Sequence, residues 1–345
     1  MTHLHDRVNL EQAATRLLEG SMGLSEGESC LVVCDSDRRD LGAAVFEAAS
    51  QITPTAGLKM IPPPGLEVWQ SDALTHLEED MQGKDVILLL TGRSLSHTDA
   101  RRRAVGNGAR LASMPGITQD TLIRAARADY QEVTKRSRRL SDIFSTAEAV
   151  RVQTALGTDI TFSVSGMKGH VDSGLYTRKG TWGNIPAGEA SVGPKEGTAE
   201  GRIVIDWSMS TIGRLIEPLH VVVEKGRAVD IKGEQADMLI ERLKPFGHSA
   251  FTVAELGLGT NDCAQLCGLT LEDEKVLGTA HLALGNNISF GGTTSVPIHL
   301  DGVLTHPTVI MDGSPIMEQG HLVIWDSRFS EKPKSYWPPR GRLPS

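Results

Sequence analysis

The chain has 345 residues, 39% hydrophobic and 23% charged, with a formal net charge of −8. That length suits two cores better than one, and the composition is that of a globular enzyme, which excludes a disordered chain. The acidic balance offers no cationic surplus to displace counterions, so nucleic acid is excluded as an expected partner.

No stretch reaches the roughly 18 apolar residues of a membrane span, and the opening "MTHLHDRVNLEQ" has no apolar signal core. A cytoplasmic setting without membrane contact is therefore expected.

Residues 6–20 place Leu10, Ala13, Ala14, Leu17 and Leu18 at helical spacing. Strands and helices then alternate: "CLVVCD", "DLGAAVFEAASQ", "GLKMIPP", "EVWQSDALTHLEEDM", "KDVILLL", "SHTDARRRAVGNGA", "RLASMP" and "TQDTLIRAARADYQEV". Short apolar strands separated by helices predict an α/β domain with a mainly parallel sheet, assigned to 1–145. No glycine-rich phosphate loop follows the first strand, where "CDSDRRDLG" is polar and acidic.

The texture then changes to strands, turns and little helix, including a hairpin with Lys225, Gly226 and Arg227 at its tip. This predicts a β-rich α+β metal-binding domain over 146–328. A Pro-rich tail follows over 329–345.

Cys30/Cys34 and Cys263/Cys267 share a C-x3-C spacing. Four thiolates could hold a structural zinc. The flanks of Cys30 and Cys34 read as a buried strand, so these two are expected as small core residues.

Polar residues interrupt the apolar runs of the second domain. Glu189 follows "IPAG", Glu255 lies between Ala254 and Leu256, and His281 lies between Ala280 and Leu282. His299 and Asp301 sit two apart in "PIHLDGV", on one face of a strand. A lone carboxylate or imidazole in such a run costs several kcal/mol to bury unless something compensates it. Each residue alone could be a satisfied core group, and His299 with Asp301 could be a steadying pair. Together the five suggest convergence on one centre. The donors are all nitrogen and oxygen, which suits zinc, manganese, cobalt or ferrous iron. Three carboxylates leave room for two divalent ions, a frequent hydrolytic arrangement.

The runs "NIPAGE", "LGLGTN", "EDEKVLGTAHLALGNN", "HLDGV" and "PTVIMDG" resemble those of the aminopeptidase T-type leucyl aminopeptidases, over about 180–325. The resemblance implies an α/β domain before a β-rich metal domain, a homodimer or higher homo-oligomer, and five metal ligands. By motif the ligands fall on Glu189, Glu255, His281, His299 and Asp301. The chain departs from the peptidases in having "PAGE" for "PTEE", and Asn286 and Asn287 where they carry a tyrosine. A small or cyclic amide is therefore as suitable a substrate as a peptide.

A second branch, the 2,5-dihydroxypyridine 5,6-dioxygenases, is also similar. It implies one ferrous ion on two histidines and a carboxylate, with His299 and Asp301 shared. Its third ligand is a histidine where this chain has Glu255. "SLSHTDARRRAVGNGARL" resembles the dioxygenase segment in which a histidine acts near the ring, which points to His97.

The resulting expectation is metal-dependent hydrolysis of an amide bond by metal-activated water, with two ions of zinc, manganese or cobalt. The alternative is a ferrous ring-cleaving dioxygenase. Glu189 and His97 are the expected catalytic residues, and Arg178, Asn261 and Asn286 the expected substrate contacts. The acids of "LEDEK" read as an exposed turn, and His170 with Asp172 as a loop pair repeating the His-x-Asp spacing.

Overall fold

The computed structural model describes residues 2–62, 72–96 and 98–324. The chain forms two compact units, one of residues 1–135 with 172–188, the other of 136–171 with 189–345.

The first unit is built on a five-stranded sheet ordered Ala56–Ile61, Cys30–Asp35, Val86–Leu90, Arg110–Ser113, Trp182–Asn184. Every pairing is parallel, as the alternation of strands and helices predicts. Period-two geometry sends successive side chains to opposite faces. Cys30, Val32, Cys34, Leu88 and Leu90 join one hydrophobic cluster, and Leu31, Val33, Ile87 and Leu89 the other. Cys30 and Cys34 are thus core residues on one face, and burial pushes the Cys30 thiol up to about 12.

Three details depart from the sequence reading. The stretch 172–188, assigned by texture to the second domain, returns to the first unit and supplies its last parallel strand. The helix expected over "TQDTLIRAARADYQEV" is two helices, Gln119–Ala125 and Tyr130–Thr146. Asp129 breaks it by accepting from the backbone N–H of Gln131 at 3.0 Å and Glu132 at 3.3 Å, an N-cap that starts a new helix. The start of "EVWQSDALTHLEEDM" and the tail 329–345 lie outside the described residues; the helix is described from Asp72 to Met81.

The second unit carries two sheets. The eight-stranded sheet is ordered Arg227–Lys232, Leu219–Glu224, Glu200–Ile205, Asp159–Ser163, Ala149–Gln153, Thr308–Met311, Ser314–Glu318, His321–Leu322. Lys225 and Gly226, both at positive φ, form its predicted hairpin turn. The seven-stranded sheet is ordered Gly213–Arg214, Ser208–Met209, His299–Leu304, Ala280–Gly285, Val253–Gly259, Glu189–Val192, His170–Asp172. One core joins them, with Val152, Ile160 and Ile203 from the first sheet packing with Leu256, Leu258, Leu282, Leu284, Leu300 and Leu304 from the second. An α/β domain followed by a β-rich one is the fold class the sequence predicts. Among the described residues, no helix is long and apolar enough to cross a membrane.

Candidate metal centre

The alternation that buries these leucines also builds the site. Leu256 and Leu258 face the core, so Glu255 and Gly257 take the other face of the strand. A register shift between Val253 and Glu255 keeps Val253 in the core and still turns Glu255 outward. By the same count His281 opposes Leu282, His299 and Asp301 flank Leu300, and Glu189 precedes Ala190. Five polar groups from four adjacent strands thereby share one face of one sheet.

Small residues make room for them. Glu189 pairs with Gly259, Glu255 and Asp301 each with Ala283, His281 with Gly257, and His299 with Gly285. Gly257 is required by close approach, since a Cβ there would lie 2.1 Å from the His281 ring.

The groups are close and buried. His299 Nε2 lies 2.9 Å from Glu255 Oε2 and 3.2 Å from Asp301 Oδ1. His281 Nε2 lies 3.4 Å from Glu189 Oε2 and 3.7 Å from Glu255 Oε1. The carbonyl of Asn286 is 2.8 Å from His299 Nδ1; a proton donated there leaves Nε2 facing the carboxylates. Ser210 Oγ accepts from the Asp301 backbone N–H at 3.1 Å and lies 3.4 Å from Asp301 Oδ2.

Burial disfavours a charged imidazole, yet Glu255 and Glu189 outweigh it and raise His281 to about 9. Against the same penalty, Asp301 and Glu255 raise His299 well above the usual histidine range. The carboxylates therefore favour positive charge on this face.

The donor set fits a divalent ion. One ligand atom each from Glu255, His281 and Asp301 lie within 4.8 Å of one another, so these three side chains converge on a space that an ion could share. His281 Nδ1 is buried without a hydrogen-bond partner. His299 Nε2 already touches two of the carboxylates.

The sequence reading missed Lys275. Its side chain is 1% exposed, and Nζ lies 2.8 Å from both Glu189 Oε2 and Glu274 Oε1. "LEDEK" is not an exposed turn: Glu272, Asp273, Glu274 and Lys275 are all buried. The only signal was that "EDEK" immediately precedes the His281 motif. Asn261 accounts for part of this, because its backbone N–H donates to the Lys275 carbonyl at 2.9 Å and its carbonyl accepts from Leu277 N at 2.9 Å.

The other expected contacts are placed as follows. The Asn261 side-chain oxygen accepts from Cys263 N at 2.9 Å and Ala264 N at 3.2 Å, which shapes a turn. Asn286 donates from its side chain to the Val296 carbonyl at 2.9 Å and meets His299 through its own carbonyl. Arg178 belongs to the first unit, where it is exposed and its carbonyl accepts from Thr181 N at 3.1 Å. His97 lies outside the described residues.

An α/β unit followed by a β-rich unit whose clustered nitrogen and oxygen donors could hold a divalent ion is the arrangement of a candidate metalloenzyme. A family model described as 2,5-dihydroxypyridine 5,6-dioxygenase (NicX) matches residues 10–324, and the chain belongs to that family of enzymes. The 2,5-dihydroxypyridine 5,6-dioxygenase of Pseudomonas putida KT2440 is 24% identical over 196 residues, 51% of this chain and 55% of that protein. The match thus spans about half the length of that relative. The solved structure of the Pseudomonas putida KT2440 dioxygenase superposes with a TM-score of 0.77 at 19% identity, covering 93% of this chain and 98% of that one. AmpT from Thermus thermophilus superposes with a TM-score of 0.68 at 16% identity, covering 92% and 99%. At these identities the two superpositions establish the shared fold.

Proposed function

We propose that this enzyme is a single-metal, ring-cleaving dioxygenase acting on a hydroxylated nitrogen heterocycle, with 2,5-dihydroxypyridine as the type substrate. The Lys275–Glu189 pair carries this reading. A fixed ammonium already neutralises the carboxylate that a second ion would need, which leaves Glu255, His281, His299 and Asp301 for one ion. Two histidines with carboxylates suit non-haem ferrous iron. The family match supports the same reaction class and moves the reading from hydrolysis to the dioxygenase alternative.

Bound ferrous iron would supply the reaction of dioxygen with the ring. In the overall reaction one ring carbon–carbon bond breaks and both oxygen atoms enter the product, so no external reductant is needed. The chain's own residues orient and balance charge. The Asn286 carbonyl fixes the His299 ring, and Ser210 steadies Asp301. Lys275 compensates Glu189 without occupying a coordination position.

Metal-dependent amide hydrolysis at the same centre remains a second reading. Glu255 favours it, since the dioxygenase pattern has a histidine at that position. Elemental analysis of protein purified under anaerobic conditions tests the proposal. About one iron per chain supports it. Two zinc, manganese or cobalt ions per chain, with oxygen-independent amide cleavage, would establish the second reading.

A further inference from the structure

The members of the cluster are unequally exposed. The side chains of His299, Asp301 and Glu189 are 15%, 17% and 14% exposed, against 1% for His281 and 4% for Glu255. Against the partly exposed His299 lies the loop 286–298, which joins the His281 strand to the His299 strand. Its Phe290 ring stacks on the His299 imidazole at 5.5 Å and 24°, and meets His170 edge-on at 5.4 Å and 86°. Offset stacks and edge contacts at these separations are the favourable aromatic geometries.

A carboxylate outside the cluster holds this loop. Glu196 accepts from Asn287 Nδ2 at 2.8 Å, from Thr293 N and Oγ1 at 2.7 and 2.6 Å, and from Thr294 N and Oγ1 at 2.9 and 3.0 Å. Phe290 is also fixed by its backbone. Its N–H donates to the Asn287 carbonyl at 2.9 Å, and a Cβ on Gly193 would lie 2.8 Å from its carbonyl oxygen. The loop begins at Asn286, whose carbonyl orients His299. One clamped segment therefore sets both the tilt of a candidate ligand and an aromatic surface beside it.

We propose that this loop is the specificity element of the site. Phe290 forms the wall against which a flat, unsaturated ring lies, and Glu196 is the positioning residue that holds both the wall and His299 in place. The inference rests on the ring-substrate reading and adds to it the residues that select planarity.

The test uses iron-loaded, full-length protein without oxygen, titrated calorimetrically with hydroquinone and with cyclohexane-1,4-diol. Both probes are neutral diols with the same oxygen placement, and only one is flat. Wild type binds the flat diol more tightly. Phe290→Leu loses roughly three- to tenfold of that preference with its iron content unchanged, and Phe290→Trp retains it. Glu196→Ala loses both ring selectivity and about tenfold or more in iron retention, as expected when a partner that orients a ligand is removed. Glu196→Gln, which keeps an acceptor oxygen, restores most of both.

Undiminished preference in Phe290→Leu at full iron content overturns the proposal, as does equal binding of the two diols by wild type, or wild-type behaviour of Glu196→Ala. A separate aerobic assay with 2,5-dihydroxypyridine distinguishes the two readings: oxygen uptake by wild type together with an unchanged preference in Phe290→Leu overturns this inference alone. Lost preference without any oxygen uptake overturns the dioxygenase reading alone.

Discussion

Lys275 and Glu189 form an ion pair of 2.8 Å in which the lysine side chain is 1% exposed. Glu274 completes the arrangement at 2.8 Å from the same ammonium. A buried ammonium is tolerated only where carboxylates compensate it, and two do so here. The pair therefore states how much positive charge the protein supplies for itself beside the candidate ligands.

Replacing Lys275 tests that charge count. Metal-free Lys275→Met leaves Glu189 and Glu274 facing each other without a cation, and should be about 3–5 kcal/mol less stable than wild type. Added manganese or zinc should restore much of the loss by entering the vacated position. Elemental analysis should then find close to two ions per chain where wild type holds one. A count of one in both proteins would mean that Lys275 does not stand in for an ion.

Gly257 should be nearly irreplaceable. A Cβ there meets the His281 ring at 2.1 Å, so the imidazole has to move. Gly257→Ala should cost about 1–3 kcal/mol of stability through overpacking and release the metal by displacing one candidate ligand. Thermal unfolding with and without added metal measures both effects. A substituted protein that retains metal normally would show that His281 is not held by this contact.

Asp273 gives the protein a pH-dependent weakness. Burial raises its carboxyl to about 6, although backbone N–H groups of Cys267 and Gly268 oppose the shift at 2.7 and 3.1 Å. A carboxyl whose folded pKa lies above the unfolded value contributes stability below about pH 4, and that contribution is lost as pH rises through about 6. Asp273→Asn should match wild type at pH 4 and exceed it at pH 8 by on the order of 2 kcal/mol. Denaturant melts at the two pH values check this. Parallel stability curves for the two proteins would contradict it.

Much of the candidate metal face was legible because strand geometry is simple. Glu255, His281, His299, Asp301 and Glu189 each interrupt a run whose neighbouring leucines, alanines or valines are core residues. Period two then forces the interruptions onto the opposite face. The glycines of "AELGLG" carried further information, since Gly257 and Gly259 lie across the ladder from His281 and Glu189.

Lys275 was not legible. A run of three acids and a lysine usually marks a solvated turn, and it takes tertiary contacts, among them those with Glu189 and the Asn261 backbone, to bury this one. The strand Trp182–Asn184 was hidden for a related reason. It pairs in parallel with Arg110–Ser113, some seventy residues earlier, and its own composition reads as loop. Phe290 and Glu196 had no local signal, because stacking and clamping arise from how the loop folds back.

Oxygen uptake by iron-reconstituted protein supplied with 2,5-dihydroxypyridine decides between ring cleavage and hydrolysis. One dioxygen should be consumed per ring lost, the reaction should depend on a single iron per chain, and His299→Ala should lose the reaction together with its iron. Full iron loading with no oxygen consumed, or ring loss that proceeds equally well without oxygen, would contradict ring cleavage by dioxygen.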